Sequence, residues 1–230
     1  MNNEDALNQI KEAKNYNKWL FEQVKPYLKD RVLEIGCGIG NMTKFLLKEN
    51  IDLTVIDNKI RYIDNMKKNY PSLQAYCCDI AAIETMDSLP KGEFNAVICI
   101  NILEHIKNDT AVLQNIKSLL SDDGKLIIFV PAHPWLYSKF DKDLNHLRRY
   151  SKSDIINKIL KVNLIVKEIK RVNMIGAMGG FLGRKILNKG LLSKPIIKIF
   201  DKMIPVFFKL EQIIEPPIGL SLWIICEKQK

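Results

Sequence analysis

A chain of 230 residues with 47% hydrophobic and 27% charged side chains is long enough to bury one sizeable core and needs no second domain. Its formal net charge of +9 invites an anionic partner, yet no stretch reaches the roughly 18 consecutive apolar residues of a spanning helix, and the opening MNNEDALNQIKEAKNY holds no apolar leader core. Neither secretion nor membrane insertion is therefore expected, and five cysteines (37, 77, 78, 99 and 226) without a C-x-x-C pair fit reduced thiols in a cytoplasmic protein.

Leu7, Ile10, Ala13, Leu20, Phe21, Val24 and Leu28 recur at helical spacing, so 4–28 is expected to form one or two amphipathic helices, a cap spanning 1–30. Val32, Leu33 and Ile35 then mark a buried strand over 31–35 that runs into Gly36, Gly38 and Gly40, a tight turn where glycine tolerates positive φ and lets a ligand approach the backbone. Further strands are expected near 52–56, 73–77, 94–100 and 125–130, separated by helices near 41–49, 59–69 and 108–120. Val112, Leu113, Ile116, Leu119 and Leu120 form the buried face of the last of these, and Asp123-Gly124 is expected to end it with a turn. A helix over 151–161, a sixth strand over 163–170 and a seventh over 220–227 complete the pattern. Such alternation implies an α/β domain: a mostly parallel sheet covered by helices on both faces, with ligands at the carboxyl ends of the strands.

The run VLEIGCGIG at 32–40, followed by Asp57 at the end of LTVID, describes a nucleotide site, because a carboxylate at the end of the second strand can accept hydrogen bonds from both hydroxyls of a ribose. The dinucleotide fingerprint G-x-G-x-x-G fails here: counted from Gly36 its last glycine falls on Asn41, and a triphosphate loop fails because Lys44 follows Thr43 without the loop that should precede it. The E-x-G-x-G-x-G form, with Glu34 on the strand, instead resembles the first motif of class I S-adenosylmethionine-dependent methyltransferases. The resemblance covers essentially the whole chain, through YCCDI at 76–80 and FNAVICINILEHI at 94–106.

That resemblance implies a Rossmann-like fold of seven strands, the last inserted antiparallel between the fifth and the sixth. It also implies that Glu34, Gly36, Cys37, Gly38 and Gly40 hold the amino-acid part of S-adenosylmethionine, with Asp57 and Asn58 at the ribose. Asp79 would reach the adenine amino group, Ile80 would pack near the ring, and Asn101 would open the loop beneath the sulfonium. The cofactor core is then 31–170, a helical substrate insertion 171–215, and the last strand 219–230. Tyr16 and Trp19 could fold over the cofactor as a lid, although aromatics at helical spacing also serve as core.

Charge is divided unevenly. Residues 1–150 hold 20 Lys and Arg against 20 Asp and Glu, whereas 151–230 hold 15 against 6, so the whole excess lies at the end of the chain. It concentrates in 181–210, where seven cations and one acid interleave with aliphatic and aromatic residues. A basic amphipathic segment of this kind fits peripheral contact with an anionic membrane or a cover over a hydrophobic acceptor, and equally a cap helix whose lysines snorkel along apolar surface. Nucleic acid fits less well. The stretch offers one arginine, no recognisable binding module is present, and Asn101-Ile102-Leu103-Glu104 stands where an amino-methyltransferase acting on DNA would carry [DNS]-P-P-[YFW].

The acceptor side is expected in PAHPWLYSKFDKDLNHLRRYSKSDI, 131–155, which leaves the carboxyl edge of the sheet and resembles the H-P-x-L-Y and H-x-R-R-Y signatures of small-molecule methyltransferases. Trp135, Tyr137, Arg148, Arg149 and Tyr150 are the substrate-binding candidates. One arginine is expected to bind an acidic group and the other to pair with Asp141 or Asp143. His133, His146 and His105 are the candidate bases, since histidine titrates near neutrality, and each could instead pin a loop or cap a helix. Three histidines without H-x-x-x-H spacing give no reason to expect a metal. The function these features imply is methyl transfer from S-adenosylmethionine to a metabolite, sugar or lipid-linked acceptor; the alternatives are a non-catalytic nucleotide-binding protein of the same fold and a nucleic-acid or protein methyltransferase.

Overall fold

A computed structural model of the protein describes residues 11–82, 89–174, 194–213 and 216–229. Seven strands form one sheet in the order β3-β2-β1-β4-β5-β7-β6: β1 (Arg31–Ile35), β2 (Asp52–Asp57), β3 (Gln74–Cys77), β4 (Phe94–Ile100), β5 (Leu120–Pro131), β6 (Leu164–Val172) and β7 (Ser221–Lys228). The first five run parallel, and β7 lies antiparallel between β5 and β6. The chain winds outward from β1 in one direction and from β4 in the other, so a crevice opens between their carboxyl ends.

Alternate residues of each central strand feed two cores. Leu33, Val97 and Ile128 pack beneath α4 (Asp109–Leu119) and α6 (Lys152–Lys161), while Val32, Ile98 and Phe129 pack beneath α1 (Lys14–Val24), α3 (Ile60–Asn69) and α7 (Lys194–Ile213). Two-sided burial accounts for the unbroken apolar runs of these strands.

Local sequence shifts some expected boundaries. The helix expected over 41–49 contracts to α2 (Thr43–Leu46), because Lys48 N and Glu49 N donate to carbonyls three residues back, at Phe45 and Leu46, and the coil tightens into turns. The turn expected at Asp123-Gly124 is a bulge within β5: Leu120 pairs with Phe94, the next partners are Ala96 and Lys125, and a Cβ at Gly124 would stand 2.6 Å from the Phe94 carbonyl oxygen. Of the N-terminal cap, 1–10 lies outside the described residues. The remainder is α1 followed by a short 3-10 turn at Lys25–Tyr27 that Pro26 suits.

Candidate functional site

A cavity of about 620 Å³ opens at the carboxyl ends of β1, β2, β4 and β5, a size ordinary for a small-molecule site. Its first wall is the glycine loop. Gly36 N and Cys37 N both donate to Ile56 O at 2.7 and 3.1 Å, which clips the loop to β2. Gly36 has φ +74°, and a Cβ there would lie 2.1 Å from Ile102 Cδ1, so backbone and not side chain faces the cavity. Gly38 N donates to Asp57 Oδ2 and Lys59 N to Asp57 Oδ1, both at 2.9 Å, so the buried carboxylate is aimed before any ligand arrives. Glu34 lies behind the loop, 4% exposed, and accepts from Thr43 Oγ1 at 2.7 Å; burial pushes its carboxyl up to about 8, and the nearby Asp57 charge adds to this while Thr43 opposes it. Burial, then the same two carboxylates, raises the Cys37 thiol.

Asn58, Asp79, Ile80 and Asn101 also line this half, each at or just beyond a strand end. Asp79 Oδ1 accepts from Ala81 N at 3.0 Å, and Asn115 Nδ2 donates to Ile80 O at 2.9 Å, fixing that segment against α4. Asn101 sits at φ +53°, a conformation asparagine tolerates, with its N–H on Phe129 O at 2.8 Å. Gly40, by contrast, is absent from the lining. Its φ of +82° and a virtual Cβ 2.9 Å from Met66 Cε show that it makes room for α3.

The opposite wall comes from the loop after β5 and from α5 (Lys139–Asp143). Asp141, fully buried, accepts from Ser138 N at 2.8 Å, Ser138 Oγ at 3.2 Å and Arg149 Nε at 2.8 Å, and His146 Nδ1 lies 3.2 Å from it. Burial opposes its ionisation, but His146, Arg149 and Ser138 outweigh burial and hold the carboxyl below its usual range. His146 Nε2 faces Glu104 Oε1 at 3.9 Å; Glu104 is fully buried, neither of its oxygens has a hydrogen-bond partner among the described residues, and burial pushes it up to about 8. His105 packs edge-on to His146, ring centroids 4.8 Å apart, and burial with the His146 charge pushes it down to about 4.

The fold thus brings His105, His146 and Arg149 together at the cavity and leaves other expected residues elsewhere. His133 is not in the lining: held at φ +62° between Pro131 and Pro134, it packs beside Trp135 with ring centroids 5.5 Å apart, and its Nε2 is buried. Trp135 itself is 55% exposed and outside the lining. Tyr137 holds the loop by donating to His146 O at 2.8 Å. Tyr150 is wholly buried and donates to Asp109 Oδ2 at 2.8 Å; Arg148 Nη1 reaches the same oxygen at 2.9 Å, and Lys158 Nζ reaches Asp109 Oδ1 at 3.0 Å. Both tyrosines and Arg148 therefore serve the scaffold. Arg149 pairs with Asp141 as expected of one arginine, and its burial at the cavity lets it border a ligand too. Trp19 is core: it stacks on Phe208 at 3.6 Å and meets Phe129 edge-on, whereas Tyr16, one turn earlier on α1, lines the cavity.

Sequence reasoning passed over Met42, Lys59, Tyr62, Phe140 and Asn173, all in the lining. Lys59 and Tyr62 carried a signal, since they open the helix directly after Asp57; Phe140 and Asn173 reach the cavity through tertiary packing alone. Among the described residues, Glu104, His105 and His146 also place one potential ligand atom each within 4.8 Å of one another, a convergence their spacing did not announce.

A crevice at the switch point of a doubly wound sheet, lined by a glycine turn and a buried carboxylate, defines a protein of the Rossmann-like class that takes its ligand at the carboxyl edge of the sheet. The family described as a methyltransferase domain matches residues 5–161, more than half of the chain. The chain is 29% identical over 101 residues to a ubiquinone biosynthesis O-methyltransferase of Xanthomonas axonopodis pv. citri (strain 306), a match spanning 43% of this chain and 41% of that protein. Among solved structures it resembles an S-adenosylmethionine-dependent methyltransferase from Archaeoglobus fulgidus (TM-score 0.61, 19% identity, 92% of this chain and 94% of that one). It also resembles geranyl diphosphate C-methyltransferase from Streptomyces coelicolor A3(2) (TM-score 0.63, 12% identity, 92% and 80%). The chain belongs to this methyltransferase-domain family. Bare backbone at Gly36 and the carboxyl groups of Glu34 and Asp57 line the cavity, a set of groups compatible with S-adenosylmethionine.

Proposed function

We propose that the protein transfers a methyl group from S-adenosylmethionine to a small-molecule acceptor with a substantial apolar part, a lipid-linked metabolite included. The observation that carries this reading is one cavity with two unlike walls: carboxylates and bare backbone at Glu34, Gly36, Gly38 and Asp57, and apolar Ile106, Phe140 and Leu144 beside a polar His146-Arg149 pair. The relative that methylates in ubiquinone biosynthesis and the neighbour bound to geranyl diphosphate support an apolar acceptor, each by its own substrate. In this reading Glu34, Gly36, Cys37 and Gly38 hold the amino-acid part of the cofactor, Asp57 and Asn58 the ribose, Asp79 and Ile80 the adenine, and Tyr16 and Asn101 border the reacting centre.

S-adenosylmethionine supplies an electrophilic methyl on a sulfonium, open to in-line displacement. The protein's part is alignment of the nucleophile at near-attack distance and, for a hydroxyl acceptor, removal of its proton. His146 is the proposed base, because Asp141 holds its Nδ1 side and it lines the cavity. His105, depressed to about 4, is too weak a base for that task at neutral pH. No helix among the described residues is long and apolar enough to cross a membrane.

Calorimetry with S-adenosylhomocysteine tests the cofactor half. Asp57→Ala should weaken binding about a hundredfold, since a charge-assisted acceptor and the staple of Gly38 are lost together, about 2.7 kcal/mol. Methyl release assayed against metabolite and lipid extracts tests the rest: His146→Asn should lower kcat by roughly 10²-fold or more for a hydroxyl acceptor with cofactor affinity unchanged. Cofactor binding without transfer to any fraction would make the protein a non-catalytic member of the fold.

A further inference from the structure

We propose that α7 is an in-plane anchor on an anionic lipid bilayer. Ile199, Met203, Val206, Leu210 and Ile213 are 60, 41, 62, 54 and 79% exposed, and at about 100° per residue they fall within an arc of about 80°. The buried Asp201, Ile204 and Phe208 centre on the opposite side of the same helix. Lys198, Lys202 and Lys209, all exposed, form a third stripe along one flank of the apolar one. An apolar edge this continuous is uncommon on a free soluble surface.

Charge selects the partner. The two acids of α7 both turn inward. Asp201 accepts from Asn15 N and Tyr16 N at 3.2 and 3.0 Å, capping the open amides of α1, and Glu211 accepts from Asn173 N and Met174 N at 2.9 and 2.7 Å. Pro205 cannot donate to the Asp201 carbonyl within the helix, and Asn15 Nδ2 fills that place at 3.0 Å. Among the described residues, the outward faces of α7 therefore carry only positive charge beside the apolar edge, the arrangement of a helix that lies in the headgroup region with lysines among lipid phosphates. It does not span: no described helix is long and apolar enough. Of the basic stretch 181–210, residues 181–193 lie outside the described part, and α7 carries the rest. The inward contacts tie this anchor to Tyr16 and Asn173, both of which line the cavity. The anchor does not depend on what the acceptor is.

Sedimentation of the full chain with phosphatidylcholine vesicles, with and without phosphatidylglycerol, tests it. The expected result is association with the anionic vesicles only, weakening as salt is raised. Replacing Lys198, Lys202 and Lys209 together by Gln should lower the partition coefficient about a hundredfold. Val206→Asp with Leu210→Asp should abolish association while S-adenosylhomocysteine binding stays unchanged. The proposal is overturned by no association or association indifferent to lipid charge, by variants that bind as well as the parent, or by variants that lose cofactor binding and thermal stability, which would place the apolar edge inside the fold. A dimer in light scattering that the Asp variants dissociate, without vesicle binding, would overturn it in favour of a second copy.

Discussion

The two walls of the cavity are held by different means. Around Gly36, Gly38 and Asp57 the fastenings are backbone amides, four of them within a short stretch of β1, β2 and their loops. Across the cavity, position depends on charged side chains: Asp141 gathers Ser138, His146 and Arg149, and Glu104 stands beside them without a partner among the described residues. A backbone-held wall presents the same face whatever the neighbouring side chains do, which suits an invariant cofactor. A wall built from side chains can be recut by few substitutions, which suits an acceptor that differs from one enzyme to the next, at the cost of concentrating stability in single charges.

The most severe test of this contrast removes the hub. Asp141→Ala leaves Arg149, 7% exposed, with Ala132 O as its remaining recorded acceptor. Stranding one partner of a buried pair costs about 3–5 kcal/mol, and melting should drop by on the order of 10 °C in a chain of this size. Cofactor affinity should stay within about threefold of the parent. An equal collapse of cofactor binding would mean that the walls are not separately built.

A smaller effect separates the walls by pH. Glu104 is pushed up to about 8 from an ordinary 4.5, chiefly by burial, so between those values the folded chain keeps a proton that the unfolded chain has released. The stability this proton gives is full below 4.5 and is lost as pH rises towards about 8, by up to about 1.4 kcal/mol per pH unit. Glu34 contributes with the same sign on the other wall. Melting should therefore fall from pH 6 to pH 8, Glu104→Gln should remove its share of that slope, and Glu34→Gln the other. Asp109 and Asp141, both depressed, act only in acid: their stabilisation is present above the unfolded carboxylate range and is lost as pH falls below it. A slope unchanged by Glu104→Gln would show that this carboxyl finds a partner in solution.

The same contrast explains what could be read in the chain. The strands and the backbone-held wall were legible because their determinants are consecutive: apolar runs, glycines needing positive φ at 36 and 38, and a carboxylate closing the next strand. Gly40 illustrates the limit, since its positive φ was foreseen but its reason, the Met66 side chain of α3, lies outside the motif. On the opposite wall the residue types in 131–155 were visible, whereas their partners were not. Arg148 joins Asp109, Tyr150 follows it into the core, and Trp19 stacks on Phe208 of α7 because distant elements meet there. Spacing along the chain carries no trace of those pairings.

The smallest expected effect isolates the glycine-loop wall. Thr43 is fully buried, and its hydroxyl donates to Glu34 Oε2 at 2.7 Å. Valine keeps the branched shape and removes the donor, so Thr43→Val should destabilise the fold by about 1 kcal/mol. Without that donor the carboxyl loses a contact that favours its charged form, so its proton should be held more tightly and the pH slope assigned to Glu34 should extend further upward. S-adenosylhomocysteine should bind roughly fivefold more weakly, as expected from about 1 kcal/mol of lost orientation. The rate of methyl transfer at saturating cofactor should stay unchanged, because Thr43 acts on the opposite wall. If cofactor affinity were unchanged while stability fell, Glu34 would be a buried structural carboxyl whose orientation the ligand never uses.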